Sequence, residues 1–442
     1  AGDPRSEVPA EMAARADGWT DGRYRALRSE AAIGAFTALR PQLLAAFAAS
    51  DRPDVALARW ETLLERLPSA INVFRLLEAR PGLLDLLLDC LTLAPPLADE
   101  IARHPERLDA LIDRTAFALP GETTELAEAM RAAGGDSYEE ALDRIRLVVG
   151  DLRFALGVQL ISAEQNPLAV AKALSRVAEA AICVSKEAAE REFARQHGTI
   201  AGSELVVLGL GRLGGGELTH ASDLDLIYLF TEGAEESDGP RPLGRTLYFN
   251  RLAQRIGGAL SVPTAEGALY EVDTRLRPQG AQGPLAVALS AFARYQRDEA
   301  WTWEHMALTR ARVLAGSSES RAVIEKVIAD VLDRPRDAVV LRADVLRMRA
   351  EMAAHKPPRG ALDVKLMRGG LVDLEFLVHF LQLRGRTAFE PDLSVAAAAL
   401  AERGLLPAAL CQHLGLMTRV LVGARLLAPD LSVPDGAGGA VL

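Results

Sequence analysis

The stretch that decides the fold runs from Gly209 to Leu226 and reads GLGRLGGGELTHASDLDL. It opens with a glycine-rich turn, where a backbone without side chains can approach a phosphate and the next helix offers free N–H groups. It closes with Asp223 and Asp225, whose spacing places both carboxylates on one face of a strand. Their mutual repulsion becomes favourable coordination when Mg²⁺ binds. The stretch therefore predicts a phosphate-binding loop beside a metal site.

Short β-rich runs lie on both sides of this stretch. Residues 205–208 and 224–230 predict two strands, and residues 268–276 predict a third. A helix between the last two strands carries its apolar residues on one face, namely Phe249, Leu252, Ala253 and Ile256. The pattern predicts a small mixed sheet with helices around it.

The rest of the chain has helical spacing of its apolar residues, from about residue 30 to 200 and again after about residue 291. Ala and Leu dominate the composition and aromatic residues make up only 5%, which favours helices. We therefore predict a predominantly helical α+β fold. Its parts are an N-terminal helical region at residues 1–160, the sheet-containing domain at 161–330 and a C-terminal helical bundle at 331–442.

The predicted third strand carries Asp273, Arg275 and Arg277 at alternate positions, so we expect them to share one face. A third carboxylate completes a two-metal site, and guanidinium groups bind phosphate oxygens in pairs. Three carboxylates, a glycine loop and arginines together indicate in-line displacement at a nucleotide phosphate. The structural alternative is a salt bridge between Asp273 and one of the arginines.

Gly209, Gly211 and Gly214 also match the GxGxxG fingerprint of dinucleotide-binding proteins. That fingerprint opens a long helix and meets an acidic residue about 20 residues later, at the end of the next parallel strand. Here the next strand begins about nine residues after Gly214, too soon for the crossover that parallel strands require. The spacing therefore disfavours an NAD-dependent oxidoreductase.

Composition narrows the class of protein. The 442-residue chain has a net charge of −10, which argues against nucleic acid as a partner because an acidic surface repels phosphates. Its three cysteines, which are Cys90, Cys183 and Cys411, are odd in number and far apart, which indicates a reducing cytoplasm. No apolar run reaches the length of a membrane span, so we expect no membrane partner. The first residue is not Met and the end is abrupt, so we expect a truncated part of a longer protein.

Four stretches resemble the glutamine synthetase adenylyltransferase family, within the DNA polymerase β-like nucleotidyltransferase superfamily. One is the quoted glycine loop with its Ser-Asp-Leu-Asp-Leu continuation. The others are Leu276–Leu285 (LRPQGAQGPL), Ala300–Val313 (AWTWEHMALTRARV) and Asp363–Phe376 (DVKLMRGGLVDLEF). The resemblance covers about residues 60–430 and implies a DNA polymerase β-like nucleotidyltransferase core flanked by N- and C-terminal helical domains.

The resemblance also implies roles for the matching residues. Asp223, Asp225 and Asp273 are expected to be catalytic and to hold Mg²⁺, with two ions. Asp273 is in addition the nearest candidate base for a tyrosine hydroxyl. ATP is the expected substrate, and the residues expected to bind it are Gly211, Arg212, Gly214, Gly215, Gly216, Ser222, Arg275, Arg277 and Lys365.

Members of this family are typically bifunctional, with one half that adds AMP to a tyrosine of glutamine synthetase and one that removes it by phosphorolysis. This chain carries one signature, and Ala300–Val313 is most similar to the transferring, C-terminal half. We therefore expect an adenylyltransferase that regulates nitrogen assimilation. The alternatives are the de-adenylylating half, which releases ADP, and a binding module that senses a nucleotide without turnover. A PII-type signalling protein and glutamine are the expected regulators.

Gly369 and Gly370 precede another predicted helix. Its free N–H groups would bind an anion beside Lys365, and an ordinary turn is the equal alternative. Asp373 and Glu375 fall near the start of this helix, where carboxylates stabilise the positive end of the helix dipole.

Overall fold

The computed structural model describes residues 8–67, 71–111, 118–132, 137–360 and 363–428. The described residues form two compact units. The first is drawn from Ala1–Leu119, Asp151–Pro167 and Gly423–Leu442, and the second from Pro120–Gly150 and Leu168–Val422. The three-part division predicted from the sequence, with boundaries near residues 160 and 330, stays a prediction.

The first unit is built from helices. Its own helices are α1 (Ala10–Asp17), α2 (Glu30–Ala49), α3 (Pro53–Arg66), α4 (Ile71–Ala79), α5 (Pro81–Leu93) and α6 (Pro95–Arg103). Three of them begin at a proline, whose fixed φ suits the first helical turn and whose missing N–H is not needed there. The core contains an aromatic cluster in which the rings of Phe36 and Trp60 stack with centroids 6.2 Å apart.

Helix α2 is long and apolar enough to cross a membrane by length and composition alone, with a mean hydropathy of 1.3. The core helix of a protein passes the same test, and α2 carries Glu30 and Arg40, so α2 does not contradict the expectation of no membrane span. The consecutive helices α5 and α6 pass the same test only as a pair bent by 111°. Phe36, Leu43 and Phe47 of α2 lie in the core of the first unit, which accounts for the apolar composition.

The second unit contains most of the remaining elements. Two helices, α8 (Tyr138–Ile161) and α18 (Ala408–Leu427), contribute several residues to each unit. The other helices are α7 (Thr123–Ala132), α9 (Pro167–His197), α10 (Gly211–Gly214), α11 (Arg245–Ser261), α12 (Leu289–Asp298), α13 (Thr302–Leu308), α14 (Ser318–Leu332), α15 (Ala338–His355), α16 (Leu371–Gly385) and α17 (Leu393–Glu402). Of these, α9 contributes only its first residue, Pro167, to the first unit.

A small mixed sheet lies within the second unit. Its strands are β1 (Leu205–Gly209), β2 (Leu224–Phe230), β3 (Val272–Asp273), β4 (Ala286–Ala288) and β5 (Arg312–Ala315). The central β1 pairs antiparallel with both β2 and β5. On its other edge β2 pairs in parallel with β3 at its start and with β4 at its end. Helices and a five-stranded mixed sheet confirm the predicted helix-rich α+β class.

The third strand is much shorter than predicted. Residues 268–276 were expected to be extended, but only Val272 and Asp273 pair with β2. The chain then turns, with the N–H of Arg277 donating to the carbonyl of Thr274 at 3.3 Å. Pro278, which offers no N–H for a ladder, follows at once. The prediction that Asp273, Arg275 and Arg277 share a strand face was therefore wrong beyond Asp273.

Candidate active site

The three predicted carboxylates lie together. Asp223 immediately precedes β2, Asp225 is the second residue of β2, and Asp273 lies beside Asp225 in the parallel β2–β3 ladder. One oxygen from each carboxylate lies within 4.8 Å of the other two. The β2–β3 register thus creates from two distant segments the cluster that the sequence predicted.

The electrostatics of the cluster are uneven. Burial, reinforced by the charges of Asp223 and Asp273, raises the pKa of Asp225 from 3.8 to about 6. In contrast, the pKa of Asp273 is lowered, because Arg275 donates to it from its backbone N–H at 2.8 Å and from its guanidinium. The salt bridge kept as the structural alternative is therefore present. The ionised form of Asp225 is therefore disfavoured by burial and by its neighbours, and an added cation would stabilise it.

The glycine loop lies directly against the acid cluster. The N–H of Leu210 donates to the carbonyl of Asp225 at 2.9 Å. Gly211 has a positive φ of 55°, and a Cβ there would overlap the carboxylate of Asp225. A Cβ at Gly214 would overlap the carbonyl of Arg310, and one at Gly215 would overlap the Arg310 guanidinium. Close approach is therefore the physical reason for glycine at these three positions.

The N–H groups in the second half of the loop are already used. The N–H groups of Gly214, Gly215 and Gly216 donate to the carbonyls of Leu210, Gly211 and Leu213 at 2.8–3.1 Å. These bonds fix the turn, so its later amides act by holding its shape. A phosphate contact by backbone N–H groups is therefore best placed at the beginning of the loop.

Two arginines at the start of β5 support the glycine loop, with Arg310 just before the strand and Arg312 as its first residue. Arg312 donates to the carbonyls of Gly214 at 3.0 Å and Leu213 at 3.1 Å, and it pairs with Glu179 of α9. Arg310 lies against Gly215 and donates to Glu375 of α16 at 3.2 Å. Sequence reasoning quoted this Thr-Arg-Ala-Arg segment for its resemblance but gave it no role. The available signal was the alternate spacing of Arg310 and Arg312 at the start of a strand.

Glu375 joins the loop to helix α16. Its carboxylate lies 3.2 Å from Arg310 and 3.9 Å from Arg212 of the loop. Burial alone would raise the pKa of Glu375, but these two guanidinium groups outweigh burial and lower it. The expected role of Glu375 at the helix dipole is therefore replaced by a tertiary ion pair, which sequence spacing does not reveal.

Two other candidates make local contacts. The guanidinium of Arg277 donates to the carbonyls of Thr274 at 2.8 Å and Gly283 at 3.3 Å, so it holds the turn after β3. The hydroxyl of Ser222 accepts from the N–H of Thr219 at 3.0 Å, within the turn that leads into β2. Both residues thus shape segments next to the acid cluster.

Positive charge reaches the cluster from the segment before α16. Lys365 acts against the increase in the pKa of Asp225, and Lys356 adds to the effect of Arg275 in lowering the pKa of Asp273. Lys365 was predicted and Lys356 was not. Lys356 follows α15 at once, where the sequence shows only a charged helix end.

The double glycine before α16 does not offer the expected free N–H groups. The N–H of Leu371 donates to the carbonyl of Val364 at 2.8 Å, and that of Val372 donates to Lys365 at 3.1 Å. Asp373 accepts from the N–H of Gly369 and pairs with Arg349. The turn alternative is therefore the correct one, because the preceding segment folds back onto the helix start.

The donor set fits a divalent cation. Carboxylate oxygens are the ligands that Mg²⁺ prefers, and the three here are close enough to share one ion. Burial and, after it, the charges of Asp223 and Asp273 raise the pKa of Asp225, and a bound cation would oppose both effects by stabilising the ionised carboxylate. The arrangement is suited to stabilising negative charge on a phosphate beside the glycine loop.

Comparison with known proteins shows the family of the chain. The profile of the family described as glutamate-ammonia ligase adenylyltransferase matches residues 84–327, more than half of the chain. Several curated relatives carry the name bifunctional glutamine synthetase adenylyltransferase/adenylyl-removing enzyme. The relative from Brucella suis biovar 1 (strain 1330) is 46% identical over 83% of this chain and 38% of its own length.

Two further relatives of the same name cover nearly the whole chain. The one from Mesorhizobium japonicum is 40% identical over 98% of this chain and 45% of its own length. The one from Bradyrhizobium sp. (strain BTAi1 / ATCC BAA-1182) is 39% identical over 97% of this chain and 45% of its own length. The chain thus spans less than half the length of these relatives. The matched profile and the relatives agree, and the chain belongs to the glutamate-ammonia ligase adenylyltransferase family.

Proposed function

We propose that this chain transfers AMP from ATP to a tyrosine of glutamine synthetase, releasing pyrophosphate. The observation that carries the proposal is the cluster of Asp223, Asp225 and Asp273 against a glycine loop. The names of the relatives support the substrate, since they describe enzymes that add and remove adenylyl groups on glutamine synthetase. A module that only senses nucleotide has no chemical need for three clustered carboxylates.

Mg²⁺, as two ions, is the cofactor that we propose for Asp223, Asp225 and Asp273. When bound, it supplies positive charge for the phosphate oxygens and for the leaving pyrophosphate. The chain itself orients the nucleotide through the beginning of the glycine loop, with Arg212 and Lys365 as further phosphate contacts. Gly214, Gly215 and Gly216 contribute through the fixed turn, and Ser222 and Arg277 through the turns that they hold.

In the proposed reaction the tyrosine oxygen attacks the α-phosphorus, and the bond to the β-phosphate oxygen breaks as pyrophosphate leaves. The phenolic proton passes to Asp273, the carboxylate at the edge of the cluster. Arg275 opposes this step while it pairs with Asp273, because it lowers the pKa of that carboxylate. Arg275 is 77% exposed, so its side chain is free to turn toward a phosphate.

The direction of the reaction is the finer part of the proposal. The Ala300–Val313 stretch supports the transferring half, and the removing half, which uses phosphate and releases ADP, requires the same acid cluster. A PII-type signalling protein and glutamine remain the proposed regulators, and the cytoplasm the proposed location.

The test uses the purified chain, Mg²⁺, ATP labelled at the α-phosphate and unmodified glutamine synthetase. We expect label on the synthetase, and we expect an Asp223→Asn/Asp225→Asn variant to lose at least about 10³-fold in rate, because it removes the ligands for the cation. Arg297→Gln, a surface change elsewhere in the second unit, serves as the control and should leave the rate unchanged.

Two results would contradict the proposal at different levels. Phosphate-dependent release of ADP from adenylylated synthetase, without labelling, would assign the removing direction. If a folded chain that binds ATP shows neither activity, the proposal that this chain catalyses the reaction is overturned. The nucleotide-binding module is then favoured.

A further inference from the structure

Arg310 is a buried cation with a specific place under the glycine loop. Its side chain is only 6% exposed, and its guanidinium lies so close to Gly215 that no Cβ fits there. Its backbone carbonyl occupies the equivalent space at Gly214. Among the residues that the structure describes, none accepts a hydrogen bond from the Nε–H of Arg310. A buried guanidinium with an unsatisfied donor is costly, so its retention under this loop calls for a compensating anion.

Glu375 supplies that anion. Its carboxylate accepts from Arg310 at 3.2 Å, and the guanidinium of Arg212 lies 3.9 Å from the same oxygen. The carboxylate of Glu375 on α16 thus contacts both Arg212, which belongs to the loop, and Arg310, which packs against the loop. The side chain of Glu375 is 18% exposed, so solvent screens this interaction only in part.

The side chains of His379 and Thr309, near Arg310, carry no charge near neutral pH. Burial, together with the nearby charge of Arg310, lowers the pKa of His379 to about 4. The Thr309 hydroxyl donates to the carbonyl of Met306 at 2.7 Å, so it accepts from Nδ1–H of His379 at 2.7 Å. His379 is therefore uncharged near neutral pH and does not compete with Arg310 for Glu375. The ion pair has one dominant arrangement.

We propose that Glu375 is a positioning residue, which fixes the glycine loop for nucleotide binding by holding Arg212 and Arg310 together. Through this contact, helix α16 determines how well the loop is formed. The inference rests on the proposed nucleotidyl transfer for its use of nucleotide, but the effect on the loop itself does not depend on that function.

The experiment compares wild-type chain with Glu375→Gln, which keeps the shape of the side chain and removes its charge. Hydrogen exchange of peptides covering residues 209–218, measured without nucleotide, reports on the amides that fix the turn. Titration with ATP and Mg²⁺, without glutamine synthetase, reports on affinity. We expect faster exchange in the loop and an affinity for ATP lower by about tenfold or more, the usual effect of losing a supporting contact.

Asp373→Asn is the matched control. Asp373 lies on the same helix, is partly buried and pairs with an arginine, Arg349, but that pair does not touch the loop. We expect exchange in the loop and affinity for ATP to stay near wild type. Equal changes in the two variants would overturn the proposal, because they would indicate general loosening of α16. Unchanged loop exchange in Glu375→Gln would overturn it as well.

A double variant, Arg310→Gln/Glu375→Gln, separates positioning from stability. It leaves neither buried charge unpaired, so its thermal stability should recover toward wild type, while affinity for ATP should stay low. Recovery of both would mean that the pair is only structural. If wild-type chain binds no ATP but Glu375→Gln still loosens the loop, the proposed function fails and the role of Glu375 in the loop stands.

Discussion

The interiors of the two units differ in kind. The first unit is filled by leucines and aromatic rings, including Trp60 and Phe36, whose rings stack on each other. Among the described residues, the first unit buries Arg107, and the second buries more charged residues, including Glu179, Glu217 and Arg310 near the glycine loop. Burying charge is unfavourable unless it is paired, whereas burying apolar surface is favourable outright. We infer that the largely apolar first interior serves stability, whereas the buried ion pairs of the second also hold the candidate site in shape.

The largest effect expected from this comparison is on stability. Trp60→Ala should lower the free energy of unfolding of the first unit by about 3–5 kcal/mol, because it empties a fully buried site. Affinity of the folded protein for ATP should not change, since the acid cluster and its loop belong to the second unit. Chemical unfolding and an ATP titration measure the two quantities.

Trp60→Phe is the matched control for this change. The buried indole N–H of Trp60 finds no hydrogen-bond acceptor within the described part of the chain. Replacing Trp60 by Phe therefore removes an unsatisfied donor while it keeps most of the apolar volume. We expect a much smaller loss of stability than for Trp60→Ala. Weaker ATP binding in still-folded Trp60→Ala would break the proposed separation of stability from site geometry.

The second prediction concerns charge in the acid cluster. A pKa of Asp225 raised to about 6 means that the proton is held more tightly in the folded than in the unfolded chain. Its contribution to stability is therefore complete below about pH 4 and is lost as pH rises through 6. Asp225→Asn removes the ionisable group and should raise the free energy of unfolding at pH 7, without divalent cations, by at most about 3 kcal/mol.

Thermal unfolding at pH 5 and pH 7 checks this prediction. The advantage of Asp225→Asn over wild type should be larger at pH 7 and should shrink when Mg²⁺ is added, because the cation neutralises wild type and not the variant. Asp223→Asn, at an exposed position, should have a smaller effect. A variant that is less stable than wild type at pH 7 would mean that burial and repulsion together do not disfavour the ionised form of Asp225.

The smallest effect is expected at the loop. Gly211→Ala places a Cβ against the carboxylate of Asp225 at a positive φ, which should destabilise the loop by about 1–3 kcal/mol and weaken ATP binding. Gly216→Ala is the control, since Gly216 also has a positive φ but its Cβ would meet nothing closer than 4.0 Å. Titration of both variants with ATP separates the effect of the Cβ contact with Asp225 from the effect of backbone strain. Equal affinities would contradict the assignment of Gly211 to close packing against the acid cluster.

The sequence was sufficient where the signal is local. Alternating aspartates after a glycine turn predicted the β2 carboxylates, and helical periodicity predicted the helix-rich α+β class. The sequence did not predict where β3 ends, which is at Asp273. The length of a strand depends on how far its partner strand pairs with it, and β-rich composition does not show this.

The sequence by itself thus determined which residue types form the candidate site, since Asp223, Asp225 and the loop glycines are neighbours along the chain. Only the tertiary structure decided which distant groups support them. Asp273 reaches Asp225 through the β2–β3 register, and Glu375 reaches Arg310 from a helix 65 residues away. The physical reason is that removing two charges from water is costly, so a buried ion pair forms only where nearby groups compensate that cost. These groups are near in space and not along the chain, so sequence spacing does not identify them.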